Sequence, residues 1–119
     1  MAESILRDRT KKFAKEIVFL CRNMKSNHKE YVLINQLLRC ATSIGANIHE
    51  AQYAQSKNDF ISKFEIAQKE CYETEYWLEL FVKSDLLDRD TAKDIYNECG
   101  TIRKMLISSI NTVKQHIDK

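Results

Sequence analysis

The sequence predicts an all-α protein, an antiparallel up-down-up-down bundle of four helices. The chain of 119 residues contains two glycines and no proline, too few for the tight turns that a β protein of this length needs. Apolar residues recur every three or four positions along most of the chain, which is the period of an amphipathic α-helix. A chain of this length forms a single domain, predicted here as 1–119.

The apolar pattern divides into four helices with approximate bounds 4–25, 29–54, 57–84 and 89–117. Each helix has a seam of apolar residues predicted to face the core. The seams are Leu6, Phe13, Ile17, Leu20 and Met24 in the first helix; Tyr31, Ile34, Leu38, Ala41, Gly45 and Ile48 in the second; Phe60, Phe64, Ala67, Cys71, Leu78 and Phe81 in the third; and Ile95, Cys99, Ile102, Leu106, Ile110, Val113 and Ile117 in the fourth.

Short polar segments separate the helices. The run 25–28 divides the first pair. Ser56, with an acid three residues later at Asp59, predicts the N-cap of the third helix, and Asp88 predicts the N-cap of the fourth. Because the connections are short, neighbouring helices are expected to run antiparallel.

The second and third helices have more apolar surface than one core-facing stripe requires. The surplus positions predict a subunit interface, although a wide core stripe with some exposed aromatic residues would give the same pattern. The candidate interface residues are Leu33, Leu37, Cys40, Ile44, Tyr72, Tyr76 and Trp77, with Leu80 beside them on the third helix.

Polar residues form a stripe beside these apolar rows: Arg39, Ser43, Asn47 and Glu50 on the second helix, and Gln68, Tyr72, Glu75 and Glu79 on the third. Antiparallel pairing around a loop near residue 55 places Arg39 level with Tyr72 and predicts an ion pair between Arg39 and Glu75. The stripe is either a recognition or catalytic patch or a structural network that fixes helix register or subunit pairing.

Charge is distributed unevenly along a chain with a net charge of +2. Segment 1–28 holds seven basic and three acidic residues, whereas segment 57–85 holds four basic and seven acidic residues. The first helix therefore presents a candidate phosphate-binding strip, or alternatively a surface that meets the acidic third helix of the same or a neighbouring subunit. The strip consists of Arg7, Arg9, Lys11, Lys12, Lys15, Arg22 and Lys25.

The sequence contains no familiar enzyme motif. No histidine follows a glutamate by three residues, and no phosphate loop, G-x-S-x-G or glycine-rich dinucleotide turn is present. Cys21, Cys40, Cys71 and Cys99 lack the close spacing of metal ligands and are expected to be buried thiols. We therefore expect no catalytic residues, metal or cofactor. With no signal-peptide pattern or membrane-spanning run, we also expect a cytoplasmic protein.

Segment 36–51 reads QLLRCATSIGANIHEA. It resembles the pattern Q-L-x-R-A-x-x-S-I-P-A-N-I-A-E-G of the four-helix bundle proteins encoded in intervening sequences of bacterial 23S ribosomal RNA genes, which are also labelled ribosomal-protein-like. The accessory variability proteins of diversity-generating retroelements are similar. The downstream pattern continues at Ser56, Phe60, Ile66, Ala67, Glu73, Glu75 and Leu78.

The resemblance implies a bundle that assembles as a ring, typically a pentamer, and has no catalytic activity. It also implies association with RNA or DNA, and with a reverse transcriptase or another protein, because the retroelement proteins bind nucleic acid and a reverse transcriptase. Within the motif, Arg39, Ser43, Asn47, Glu50, Glu73 and Glu75 carry over by position as a polar network.

This chain departs from the family pattern at Gly45, which replaces a proline, and at His49, Ala51 and Cys71. A second proline, expected near 27–29, is also absent. Because glycine retains the amide donor that proline lacks, we expect an uninterrupted second helix with close backbone approach at Gly45.

The functional hypothesis is a non-enzymatic homo-oligomer, a homopentamer, that acts as an RNA-associated accessory or assembly protein. The alternative is a protein–protein adaptor or scaffold that binds no nucleic acid.

Overall fold

Four helices, α1 (Ala2–Asn27), α2 (Tyr31–Ala51), α3 (Lys57–Lys83) and α4 (Arg89–Ile117), form a bundle measuring 52 × 21 × 20 Å. The computed structural model describes the backbone of 2–117 and the side chains of 3–116. The predicted seam side chain of Ile117, and residues 1, 118 and 119 of the predicted domain, lie outside these described parts. Each helix packs against two neighbours, α1 and α3 both contacting α2 and α4. The predicted fold class is therefore confirmed.

Two predicted N-caps set the starts of α3 and α4. The Ser56 hydroxyl accepts a hydrogen bond from the Asp59 amide at 3.0 Å. The Asp88 carboxylate accepts one from the Thr91 amide at 2.9 Å, and this bond lowers the pKa of Asp88. Both caps satisfy amide donors that the first helical turn leaves without intrahelical partners.

α2 is shorter at both ends than the predicted 29–54. After Ala51 the amides of residues 52–54 bond to carbonyls three residues earlier, so the chain tightens into turns instead of continuing the helix. At the end of α3, Asp85 adopts a left-handed conformation with φ of 62°. The Leu86 amide then reaches back to the Phe81 carbonyl at 2.9 Å, which closes the helix C-terminus.

The core contains residues from all four helices, and the predicted seams supply most of its side chains. The predicted register of α2 was partly wrong. Leu37, Cys40 and Ile44, expected at a subunit interface, are fully buried within the bundle, whereas the predicted seam residue Tyr31 is exposed. The reason is that α2 packs against both α1 and α3, so its buried arc is wider than a single stripe.

α2 runs without interruption through Gly45, as predicted. A Cβ at this position would lie 3.3 Å from the Thr10 Oγ1 on α1, so close backbone approach at Gly45 is confirmed. Thr10 is itself fixed, since its hydroxyl donates a hydrogen bond to the Leu6 carbonyl at 2.8 Å. The absence of a side chain at position 45 therefore lets α1 and α2 pack closely at this level.

Candidate nucleic-acid interface

The predicted basic strip lies on α1, and its members differ in accessibility. Four are exposed, namely Lys11, Lys12, Lys15 and Arg22, and three are partly buried, namely Arg7, Arg9 and Lys25. The exposed cations point away from the α1 seam that faces the core. This surface can attract phosphates without rearrangement of the bundle.

An exposed aromatic ring lies within this strip. Phe19 is 54% exposed. Lys15 Nζ lies 5.9 Å from the centroid of the ring, and Arg22 Cζ lies 5.8 Å from it. The prediction from sequence missed Phe19. Its signal was the spacing Lys15-Phe19-Arg22, which places three residues on one helix face, opposite a seam that already contains Ile17 and Leu20.

Arg9 has a different role from the other cations of the predicted strip. Its Nε donates to Glu98 Oε2 at 2.6 Å and its Nη2 donates to Glu98 Oε1 at 2.9 Å. This contact raises the pKa of Arg9. The Arg9 charge is already compensated by Glu98, and the pair joins α1 to α4.

A groove of about 560 Å³ lies between α1 and α2, next to the strip. Residues from the first half of α1 and the second half of α2 line it, including Arg7, Lys11, Gly45, His49 and Glu50. Arg7 and Lys11 belong to both the groove and the basic strip. The groove and the strip therefore form one continuous surface along α1.

The predicted ion pair between Arg39 and Glu75 is wrong. Arg39 instead contacts Glu70 at 3.1 Å and Glu73 at 2.5 Å. The predicted position of Arg39 along the length of α3 was correct, because Glu70 and Glu73 lie on either side of Tyr72, the residue expected opposite Arg39. Glu75 is two residues beyond Glu73, which turns its side chain about 200° around the helix and away from α2.

Glu75 faces α4, where it pairs with Arg103. Arg103 Nε donates to Glu75 Oε2 at 2.8 Å, which raises the pKa of Arg103. The guanidinium carbon of Arg103 also lies 4.9 Å from the centroid of the Tyr72 ring. Glu75 thus belongs to an α3–α4 cluster separate from the other members of the predicted network.

Two other residues of the α2 stripe, Asn47 and Glu50, also have side-chain partners. Asn47 Nδ2 donates to the carbonyl and the hydroxyl of Ser43 at 2.9 and 3.0 Å. Glu50 accepts a hydrogen bond from Lys63 on α3 at 3.1 Å. The contacts of Arg39 and Glu50 cross from α2 to α3 and can fix the register of the two helices, whereas those of Asn47 stay within α2.

Exposed or half-buried apolar side chains occur at the start of α2 and in the second half of α3. They are Val32, Leu33, Tyr72, Tyr76 and Trp77, called the apolar patch below, and Val32 is 76% exposed. Trp77 Nε1 is buried, and it has no hydrogen-bond partner among the described residues. Four members of the patch were predicted interface residues, and their placement leaves them accessible to a partner.

The four cysteines are buried thiols. Burial raises the pKa of Cys21 and of Cys40 to about 11, so the reactive thiolate is disfavoured. Within 2–117 no three histidine, cysteine, aspartate or glutamate side chains are grouped as metal ligands. The described helices also include none that is both long and apolar enough to cross a membrane.

The model of the 23S rRNA-intervening sequence protein family matches residues 3–108. A solved structure from Bacteroides thetaiotaomicron, of a protein with unknown function from the S23 ribosomal protein family, is 45% identical to this chain. That likeness covers 93% of this chain and 99% of the other, with a TM-score of 0.90. No curated protein matches the chain.

Proposed function

We propose that this chain, which belongs to the 23S rRNA-intervening sequence protein family, is a non-enzymatic RNA-associated accessory protein that works as a homo-oligomer. In this proposal the basic strip on α1 contacts the phosphate backbone. The apolar patch joins the subunits. Because the patch lies on α2 and α3, the strip on α1 stays free to bind RNA.

The single observation that supports RNA binding most strongly is the exposed arrangement of Lys15, Phe19 and Arg22. Lysine and arginine supply the charge that attracts a phosphate backbone. An exposed aromatic ring offers a surface on which an unpaired base can stack. Charged residues that served only to keep the surface of α1 hydrated would not require a phenylalanine among them.

Self-association would strengthen this weak site. Each strip has few free cations, but an oligomer repeats it on every subunit and so allows one RNA to contact several strips. The apolar patch is a suitable interface because large exposed aromatic and aliphatic residues concentrate in it.

Fluorescence anisotropy with a labelled single-stranded RNA at about 50 mM salt tests the proposal, since electrostatic binding is strongest at low salt. The double variant Lys15→Glu/Arg22→Glu should weaken binding about tenfold or more. The matched control is Lys93→Glu/Lys104→Glu, which makes the same charge change at two exposed positions of α4. This control should leave the affinity within about twofold of wild type.

A third variant separates stacking from charge. Phe19→Ala should weaken RNA binding while its dependence on salt stays the same, because no cation is removed. Equal losses of RNA affinity in the α1 and α4 double variants would show that the effect depends only on net charge. That result would contradict a specific binding strip on α1. No binding by the wild type would overturn RNA association and favour the alternative, in which the strip contacts an acidic protein.

A further inference from the structure

The groove between α1 and α2 has a floor of small side chains. Ala14 on α1 and Thr42, Gly45 and Ala46 on α2 line it. Contact between Gly45 and Thr10 brings the two helices together beneath the groove, and the short side chains above that contact leave about 560 Å³ of space. This volume lies within the range of about 300–1,000 Å³ typical of small-ligand sites.

Cations line the α1 side of the groove. Arg7 and Lys11 are one helical turn apart and both face it. Neither forms an ion pair with a side chain of 3–116. The acids of the groove are Asp8 and Glu50, and Glu50 is already paired with Lys63. On the α1 rim two cations, Arg7 and Lys11, outnumber one carboxylate, Asp8, so this rim is the part suited to an anionic group.

Aromatic rings lie on the α2 side. The His49 ring lines the groove, and the Tyr53 ring packs edge-on against it with the centroids 5.7 Å apart. Tyr53 is 73% exposed and contributes little to the core. Tyr53 itself does not line the groove, but it supports the His49 ring, which lies on the α2 side, whereas Arg7 and Lys11 lie on the α1 side. The His49 ring is suited to the planar face of a nucleobase.

We infer that this groove holds one nucleotide of single-stranded RNA, with its phosphate at Arg7 and Lys11 and its base against His49. The inference rests on the proposed function, because Lys11 connects the groove to the strip that would guide the strand. A stacked and paired base in a duplex cannot enter, so the groove makes the protein prefer single strands.

A variant that obstructs the groove tests the inference without disturbing the strip. Ala46 is exposed and lines the groove, so Ala46→Leu projects a larger side chain into it while the core is left intact. Wild type should bind single-stranded RNA about tenfold more tightly than a duplex of the same length. Ala46→Leu should abolish this preference and leave duplex affinity unchanged. The control Ser108→Leu, at an exposed position on α4, should behave as wild type.

A second measurement separates the groove from the strip. Titration with a nucleoside monophosphate should shift the amide NMR signals of Gly45 and Ala46 in wild type and in Lys15→Glu/Arg22→Glu. In Ala46→Leu the signals of residues 45 and 46 should not shift. If wild type shows neither these shifts nor a single-strand preference, while the strip variant still loses RNA affinity, the groove inference is wrong and the proposed function stands. Shifts at Gly45 and Ala46 without any binding of RNA would support a nucleotide site and overturn the proposed function.

Discussion

Gly45 of α2 lies against Thr10 of α1 so closely that a Cβ at position 45 would be 3.3 Å from the Thr10 Oγ1 and 3.4 Å from its Cβ. The helix continues through the glycine without interruption. The contact fixes the spacing of α1 and α2 directly beneath the groove. It also explains what the glycine provides at a position where alanine would favour the helix more.

The first prediction concerns the coupling between these two residues. Gly45→Ala gains helix propensity worth about 1 kcal/mol, but in wild type the new methyl group presses on the Thr10 hydroxyl. In a Thr10→Ala background that hydroxyl is gone, so Gly45→Ala should stabilise the protein more, by about 0.5–1 kcal/mol. Urea unfolding of the four proteins measures the coupling, and strictly additive effects would show that the contact is not restrictive.

The second prediction concerns the pair that replaced the expected Arg39–Glu75 contact. The side chains of Arg103 and Glu75 are 21% and 11% exposed. Because Arg103→Met leaves a nearly buried carboxylate without its partner, it should lower the free energy of unfolding by about 2–3 kcal/mol. Arg103→Met/Glu75→Gln should recover part of that loss.

Lys114→Met is the matched control for this pair. Lys114 and Glu65 also join α4 to α3, at 3.3 Å, but both side chains are about half exposed. Lys114→Met should lower the free energy of unfolding by no more than about 0.5 kcal/mol. Equal losses in Lys114→Met and Arg103→Met would contradict the importance assigned to burial.

The third prediction is a dependence of stability on pH that arises from the thiols. Burial raises the pKa of Cys21 and of Cys40 to about 11. Both thiols are protonated in folded and unfolded chains below about pH 9, and above it the unfolded chain ionises first. Their contribution to stability should therefore be lost as pH rises from about 9 to 11, by about 2 kcal/mol for each thiol.

Comparison with Cys21→Ala isolates this effect from lysine and tyrosine titration. The difference in unfolding free energy between wild type and Cys21→Ala should shrink over that pH range. A constant difference would contradict the raised pKa. Iodoacetamide at pH 8 should label the thiols only after urea unfolding, as mass spectrometry can show.

Much of the fold could be predicted because helix periodicity and caps are local properties of the sequence. The seams that include Phe13, Phe64 and Ile102, and the caps at Ser56 and Asp88, follow from spacing and side-chain chemistry alone. The predicted resemblance to the intervening-sequence family is also confirmed. Likeness to the retroelement accessory proteins and assembly as a ring stay predictions.

The errors arose where three helices meet. Which arc of α2 is buried depends on the positions of both α1 and α3, so Leu37, Cys40 and Ile44 could be assigned to the core only from the assembled bundle. Similarly, spacing along α2 and α3 gave the level of Arg39 but not the side of α3 that Glu75 occupies. The α1–α2 groove was not visible in sequence because it depends on one interhelical contact, between Gly45 and Thr10.

The fourth prediction concerns self-association through the apolar patch. Val32→Asp places a charge on the most exposed patch residue and should convert an oligomer to a monomer in sedimentation velocity, with unchanged helical content by circular dichroism. Ile5→Asp, at a residue on α1 that is exposed but outside the patch, should leave the oligomer intact. A monomeric wild type at micromolar concentration would contradict the proposed assembly.

The central claim is that the basic strip on α1 binds RNA through its charges. Its most direct test is the salt dependence of single-stranded RNA affinity for wild type and for Lys15→Gln/Arg22→Gln. The logarithm of the binding constant should fall linearly with the logarithm of salt concentration, and losing two phosphate contacts should make the slope shallower by about 1.4. An identical slope in the two proteins, or a wild-type affinity that does not depend on salt, would contradict the account.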